Sequence, residues 1–181
     1  SGEKGEFSQA YFLPGEPMSS SVAAAADFDQ DGDLDLFIGG RIVPGRWPTS
    51  PGSRLYLNES EPGTLRFKLA SEEQAGALKA CQRATSALWS DIDRDGWMDL
   101  LVTHEYGPIR VFLNKEGKLQ DLTDETGMEK LKGMWYGIAG RDLDGDGDID
   151  YVASNFGKNT TYKASEKNPE LLYYGDLAVT G

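Results

Sequence analysis

Three nine-residue stretches, DFDQDGDLD (27–35), DIDRDGWMD (91–99) and DLDGDGDID (142–150), share the skeleton D-x-D-x-D-G-x-x-D. Each crowds four or five aspartates together, and their mutual repulsion costs free energy unless cationic charge sits among them. A small or apolar run precedes each stretch and a short apolar run follows it, as in SVAAAADFDQDGDLDLFIGG (21–40), ALWSDIDRDGWMDLLVTHEYG (87–107) and GIAGRDLDGDGDIDYVASNFG (137–157). These 27 positions hold 14 of the 30 acidic residues, a concentration that a merely solvated acidic surface does not produce.

The repetition extends downstream. SRLYLNESEPGTLRFKLASEEQAG (53–76) matches IRVFLNKEGKLQDLTDETG (109–127): a strand ending in Asn58 or Asn114, a turn carrying Gly63 or Gly117, and a second strand. Each unit therefore reads as four short strands. The first aspartate recurs after 64 and then 51 residues, and the difference arises mainly from RIVPGRWPTSPGS (41–53) in the first unit. Four-stranded units of this length in series predict an all-β chain, a β-propeller fragment of about three blades with an acidic loop between the first two strands of each. The expected boundaries are 19–76, 84–127 and a short blade at 134–170. Residues 5–17 would form the outer strand of a preceding blade, and 171–181 the start of a further one. Three blades cannot close a ring, so remaining blades in cis or self-association through open edges is expected.

Composition agrees. With 22 glycines and 10% aromatics, the chain suits tight turns between short strands. A formal net charge of -12 excludes a nucleic-acid partner, whose phosphates demand a basic surface. No apolar run approaches the roughly 20 residues that span a bilayer. The single cysteine, Cys81, cannot make an intrachain disulfide and reads as a small buried hydrophobe. Trp89 and Trp135 lie in or beside predicted first strands and read as core.

Alternating aspartates around a glycine deliver the six to eight oxygens that calcium takes at flexible geometry. In the third loop Asp142, Asp144 and Asp146 would present side-chain oxygens, Asp148 its carbonyl, and Asp150 would close the site; Gly147 makes the sharp turn at positive φ. The first loop maps onto Asp27, Asp29, Asp31, Asp33 and Asp35 with Gly32. The second maps onto Asp91, Asp93, Asp95 and Asp99 with Gly96, and Trp97 would contribute a backbone oxygen. About three structural calcium ions are expected. An EF-hand opens with the same residues but needs glutamate at position 12 and flanking helices. Here the twelfth residues are Ile38, Val102 and Ala153. Magnesium is disfavoured because it prefers to keep its waters.

The three loop sequences, with LYLN and VFLN ahead of FKLASEEQAG and LQDLTDETG, resemble the FG-GAP or VCBS-type repeats of integrin-alpha-like β-propellers, and among these the UnbV and cartilage acidic protein-like subgroup. The resemblance covers almost the whole chain. It implies calcium-binding blades, a place outside the cytoplasm (secreted or cell-surface), and adhesion or ligand binding; the chain itself is expected to be non-enzymatic.

In such blades the acidic loops share one face with the turns between third and fourth strands. The opposite face would carry Arg41, Arg46, Lys79, Arg83, Lys130, Lys132 and Lys158, with Trp47, His104, Tyr106 and Phe156. A protein or anionic glycan ligand is expected there, with Arg46 and Trp47 as leading contacts. The alternative is the propeller part of a polysaccharide-cleaving lyase or hydrolase. For that role His104, the only histidine, read as a surface loop residue beside Glu105, is the candidate acid or base.

Overall fold

The computed structural model describes residues 11–15, 18–157, 163, 165, 167–169 and 171. Among the described residues, two four-stranded antiparallel sheets and one two-stranded sheet follow each other along the chain. The first contains β1 (Ser19–Ala26), β2 (Asp35–Ile42), β3 (Arg54–Asn58) and β4 (Phe67–Leu69), hydrogen-bonded in that order. The second repeats the pattern with β5 (Ala84–Ser90), β6 (Asp99–His104), β7 (Arg110–Asn114) and β8 (Leu119–Asp121). The third pairs β9 (Trp135–Arg141) with β10 (Asp150–Asn155). The first strands pack on one another, β1 on β5 and β5 on β9, so successive sheets stack around a common side as blades of a β-propeller fragment. Of the outer strand expected over 5–17, residues 11–15 are described and form no strand, and the rest lie outside the described residues, as does almost all of the start of a further blade expected over 171–181.

Small residues dominate the first strands, and a glycine pair in β2 stands where the packing leaves no room for a Cβ. A Cβ on Gly39 would stand 2.5 Å from Val22 Cγ1 and 2.8 Å from Ala84 Cβ; one on Gly40 would stand 1.7 Å from the Gly52 carbonyl oxygen. The core fills the space between the first two blades with Phe28, Phe37, Leu55, Leu78, Trp89, Leu100, Val102 and Phe112. The indole of Trp89 lies 6.2 Å from the Phe28 ring and donates to the Ala24 carbonyl at 3.2 Å. A smaller cluster of Leu101, Ile109 and Val111 continues between the second and third blades, with half-buried Trp135 packed against it. Cys81 is fully buried.

The link from the first blade to the second contains a helix, α1 (Glu72–Ala75), and a 3₁₀ turn, Gly76–Ala80. Ser71 and Gln74 form a reciprocal capping box at its start. The spacing S-x-x-Q signals this cap, although the repeat alone predicts only strands there.

Candidate metal centres

Each acidic loop joins the first two strands of a blade, and the last aspartate of each, Asp35, Asp99 or Asp150, opens the second strand. That residue is a pin. Its carboxylate accepts the amide of the loop's second residue: Phe28 to Asp35 at 2.9 Å, Ile92 to Asp99 at 2.7 Å and Leu143 to Asp150 at 2.9 Å. In the first two blades its other oxygen accepts the amide of the asparagine ending the third strand, Asn58 or Asn114, each at 2.8 Å. Asp35 and Asp99 are fully buried, which raises both pKa values against the lowering effect of those amides.

The first aspartate folds the loop back on itself. Asp27, Asp91 and Asp142 accept the amide of the loop glycine, Gly32, Gly96 and Gly147, at 3.1, 3.0 and 3.0 Å. Those glycines have φ of 95, 89 and 93°, a conformation that only glycine adopts without strain. The fifth residue accepts the amide of the seventh, Asp31 from Asp33, Asp95 from Trp97 and Asp146 from Asp148.

This folding brings together side-chain oxygens of Asp27, Asp29 and Asp35, of Asp91, Asp93 and Asp99, and of Asp142, Asp144 and Asp146, all within 4.8 Å of one another in each group. Asp31, Asp33, Asp95, Asp148, Asp150 and Trp97 lie in the same loops but outside these convergent sets. In the first loop Asp27 Oδ1 and Asp29 Oδ1 are buried and accept no hydrogen bond. Burial first, and then the charges of Asp31 and Asp27, raise the Asp29 pKa. A buried carboxylate oxygen without a donor carries a free-energy penalty that a cation removes. The oxygen-only donor set therefore fits a hard divalent ion.

The second loop differs. Lys115, in the turn after β7, donates to Asp93 and, at 2.8 Å, to Asp95. Its ammonium lowers the Asp95 pKa. Neighbouring loops also touch: Gln30 donates to the Gly96 carbonyl at 2.9 Å and Arg94 pairs with Asp148. These contacts place the acidic loops and the third-to-fourth-strand turns on one face.

The opposite face holds the residues expected to meet a partner. Trp47, Tyr106 and Phe156 are 55, 47 and 52% exposed, and Arg46 is exposed. Phe156 stands edge-on to Tyr136 at 6.3 Å. Most cations there are engaged: Arg41 pairs with Glu105 at 2.6 Å, Arg83 donates to the carbonyls of Glu105 and Pro48, Lys79 pairs with Glu72, and Lys132 pairs with Glu129. Lys130 is exposed, and Lys158 lies outside the described residues.

His104 is not a surface loop residue. It ends β6 with 3% exposure, accepts from the Cys81 thiol at 3.0 Å through Nε2 and donates from Nδ1 to the Pro108 carbonyl at 3.1 Å. The carbonyl can only accept, which fixes this tautomer. Burial drives the imidazole pKa down to about 4 and the Cys81 thiol up to about 12. Neither group meets a partner or a substrate at the surface. The sequence could not reveal this, because Cys81 arrives from the blade link.

Residues 91–153, from the second acidic loop into β10, match the family model of the FG-GAP-like repeat. No curated protein matches the chain.

Proposed function

We propose, from the premise that the chain carries FG-GAP-type repeats, that it is a calcium-stabilised propeller module for extracellular protein or glycan binding and not an enzyme. The observation that carries the calcium reading is the pair of buried, donorless oxygens on Asp27 and Asp29 beside Asp35. Asp91, Asp93 and Asp99, and Asp142, Asp144 and Asp146, are the corresponding holders in the other loops. The remaining loop residues, including the Trp97 carbonyl, would complete each shell. Calcium supplies charge neutralisation and cross-linking of the two strands, without activating a water. Strands flank every loop, which disfavours an EF-hand. Millimolar calcium outside cells suits sites of this kind and supports an extracytoplasmic location.

Binding on the opposite face is supported by exposed Arg46, Trp47, Tyr106 and Phe156. Burial of His104 removes the one acid or base named for a lyase or hydrolase role. The third blade presents Leu143 at 64% and Val152 at 59% exposure, a surface suited to a further blade in cis or to a second copy.

Calorimetric titration of the chelated protein with calcium, with a melt at each end point, tests the metal reading. Binding with a rise in melting temperature is expected; no binding overturns it. For the opposite face, Arg46→Ala and Trp47→Ala should weaken retention on an immobilised anionic polysaccharide or on a captured protein ligand. Unchanged retention would remove those two residues from the binding surface.

A further inference from the structure

The first and second loops have nearly the same backbone and different internal partners. Where Asp27 Oδ1 and Asp29 Oδ1 lack donors, the corresponding residues of the second loop have them: Asp91 Oδ1 accepts the Asp95 amide at 3.0 Å, and Asp93 accepts from Lys115. The second loop also has four aspartates to the first loop's five, since Trp97 stands where Asp33 does.

Lys115 is held in place by its neighbour. Buried Asn114 donates its amide to Asp99, and its side chain to the carbonyls of Phe28 at 2.8 Å and Met98 at 3.3 Å. It also accepts from the Gly117 amide at 2.9 Å, and Lys115's own amide closes the turn on the Lys118 carbonyl at 2.9 Å. The backbone under Lys115 is thus tied to its own loop and to the preceding one, while the ammonium rides on a flexible four-carbon stem with 40% side-chain exposure. It can leave for water without disturbing the turn. In the first blade the residue after Asn58 is Glu59, whose carboxylate pairs with Arg66 at 3.3 Å and Lys68 at 3.2 Å.

We propose that Lys115 is a built-in counter-ion of the second acidic loop, competing there with a divalent cation, so that the loops fill unequally and the second fills only as the ammonium swings out. The inference rests on the calcium reading above. The ammonium offsets part of the second loop's negative charge in the metal-free protein and leaves the first loop dependent on metal. The competition raises calcium's dissociation constant at the second loop, and calcium entry there exposes a lysine on that face.

Terbium standing in for calcium reports on the second loop, because Trp97 is the tryptophan within the three loops and its indole can sensitise the lanthanide. Trp89, packed on Phe28, can sensitise the first loop as well, so the part of the signal that Trp97→Leu removes is the part assigned to the second loop and followed as calcium is added. In the full chain, calcium displacing terbium gives the affinity of this loop, and calorimetry gives that of the others. Lys115→Met should tighten the second loop for calcium by about tenfold through loss of one competing charge. Lys115→Arg should stay weak, and Lys118→Met, which removes an equal charge paired with Glu73, should change nothing. An unchanged affinity in Lys115→Met, with calcium still binding, overturns the inference and leaves the calcium reading standing. Absence of calcium heat at all loops overturns both.

Discussion

The first and second acidic loops show how one loop geometry can leave opposite electrostatic demands. Both pin their last aspartate with two amides, and both fold over a glycine at positive φ. Yet the first ends with buried oxygens that no protein group satisfies, and the second ends with an ammonium between two of its carboxylates. The backbone scaffold is shared, and the cation requirement is set by a few side chains, chiefly Lys115 against Glu59 and Trp97 against Asp33. Scaffold and charge should therefore separate under mutation.

The largest effects should fall on the scaffold. The second residue of the first two loops packs towards the next blade, Phe28 fully buried and Ile92 half-buried, while Leu143 at the same position of the third loop is 64% exposed. Phe28→Ala should cost about 3–5 kcal/mol and Ile92→Ala roughly 1–2 kcal/mol, while Leu143→Ala should stay within about 0.5 kcal/mol, as read by urea unfolding of the chelated protein. Equal costs across the series would mean that this position is not what joins successive blades.

Next come the pins. Asp35→Ala strands the amides of Phe28 and Asn58, and Asp99→Ala strands those of Ile92 and Asn114. Each should cost about 2–4 kcal/mol without metal, from two amides left without acceptors. The two losses should be alike despite the difference in cation demand. A large inequality would show that the loops differ in scaffold and not only in charge.

Removing a cation ligand should act with opposite signs in the two metal states. Asp29→Asn relieves a carboxylate whose charge burial and its neighbours oppose, so the chelated protein should melt higher than wild type. With calcium near ~1 mM and a dissociation constant near ~10 μM, the same variant should forgo about 2.7 kcal/mol of stabilisation. Crossing melting curves, with and without chelator, are the expected result. A variant that melts lower in both states would place Asp29 in the scaffold.

Much of this was legible before any coordinates. The four-stranded form of the first two blades follows from the repeat, because the same order of acidic loop, strand, asparagine and turn occurs in both despite their different lengths. The acidic loops stood out for the same reason. Other features depend on contacts between units and have no local signature. Asn58 and Asn114 read only as strand ends, although their amides hold Asp35 and Asp99 and the Asn114 side chain reaches Phe28 of the preceding blade. His104 read as exposed because strand β6 runs to its last residue, and the thiol that meets it comes from a blade link. Lys115 lay between these cases. The sequence places acidic loops and third-to-fourth-strand turns on one face without singling out Lys115, and the carboxylates it takes follow only from side-chain positions.

The smallest effect separates Asp29 of the first loop from Asp95 of the second by the sign of their pH response in the chelated protein, while the pins Asp35 and Asp99 are both raised and respond alike. The Asp29 and Asp35 pKa values lie above the ordinary 3.8, so the folded state binds protons more tightly than the unfolded one at these groups. Their contribution to stability is full below 3.8 and is lost as pH rises through the raised values. Asp95, lowered by Lys115, does the reverse: its contribution is present above 3.8 and is lost as pH falls through its own lower value. Because Asp95 is exposed, its share is small and is best read per residue, by following carboxyl carbon shifts by NMR across acid titration. Asp29 should titrate above the ordinary value and Asp95 below it, and Lys115→Met should return Asp95 towards the ordinary value while leaving Asp29 unmoved. If Asp95 stayed low without the lysine, its Trp97 amide alone would account for the shift, and the charge difference between the loops would reduce to the missing fifth carboxylate.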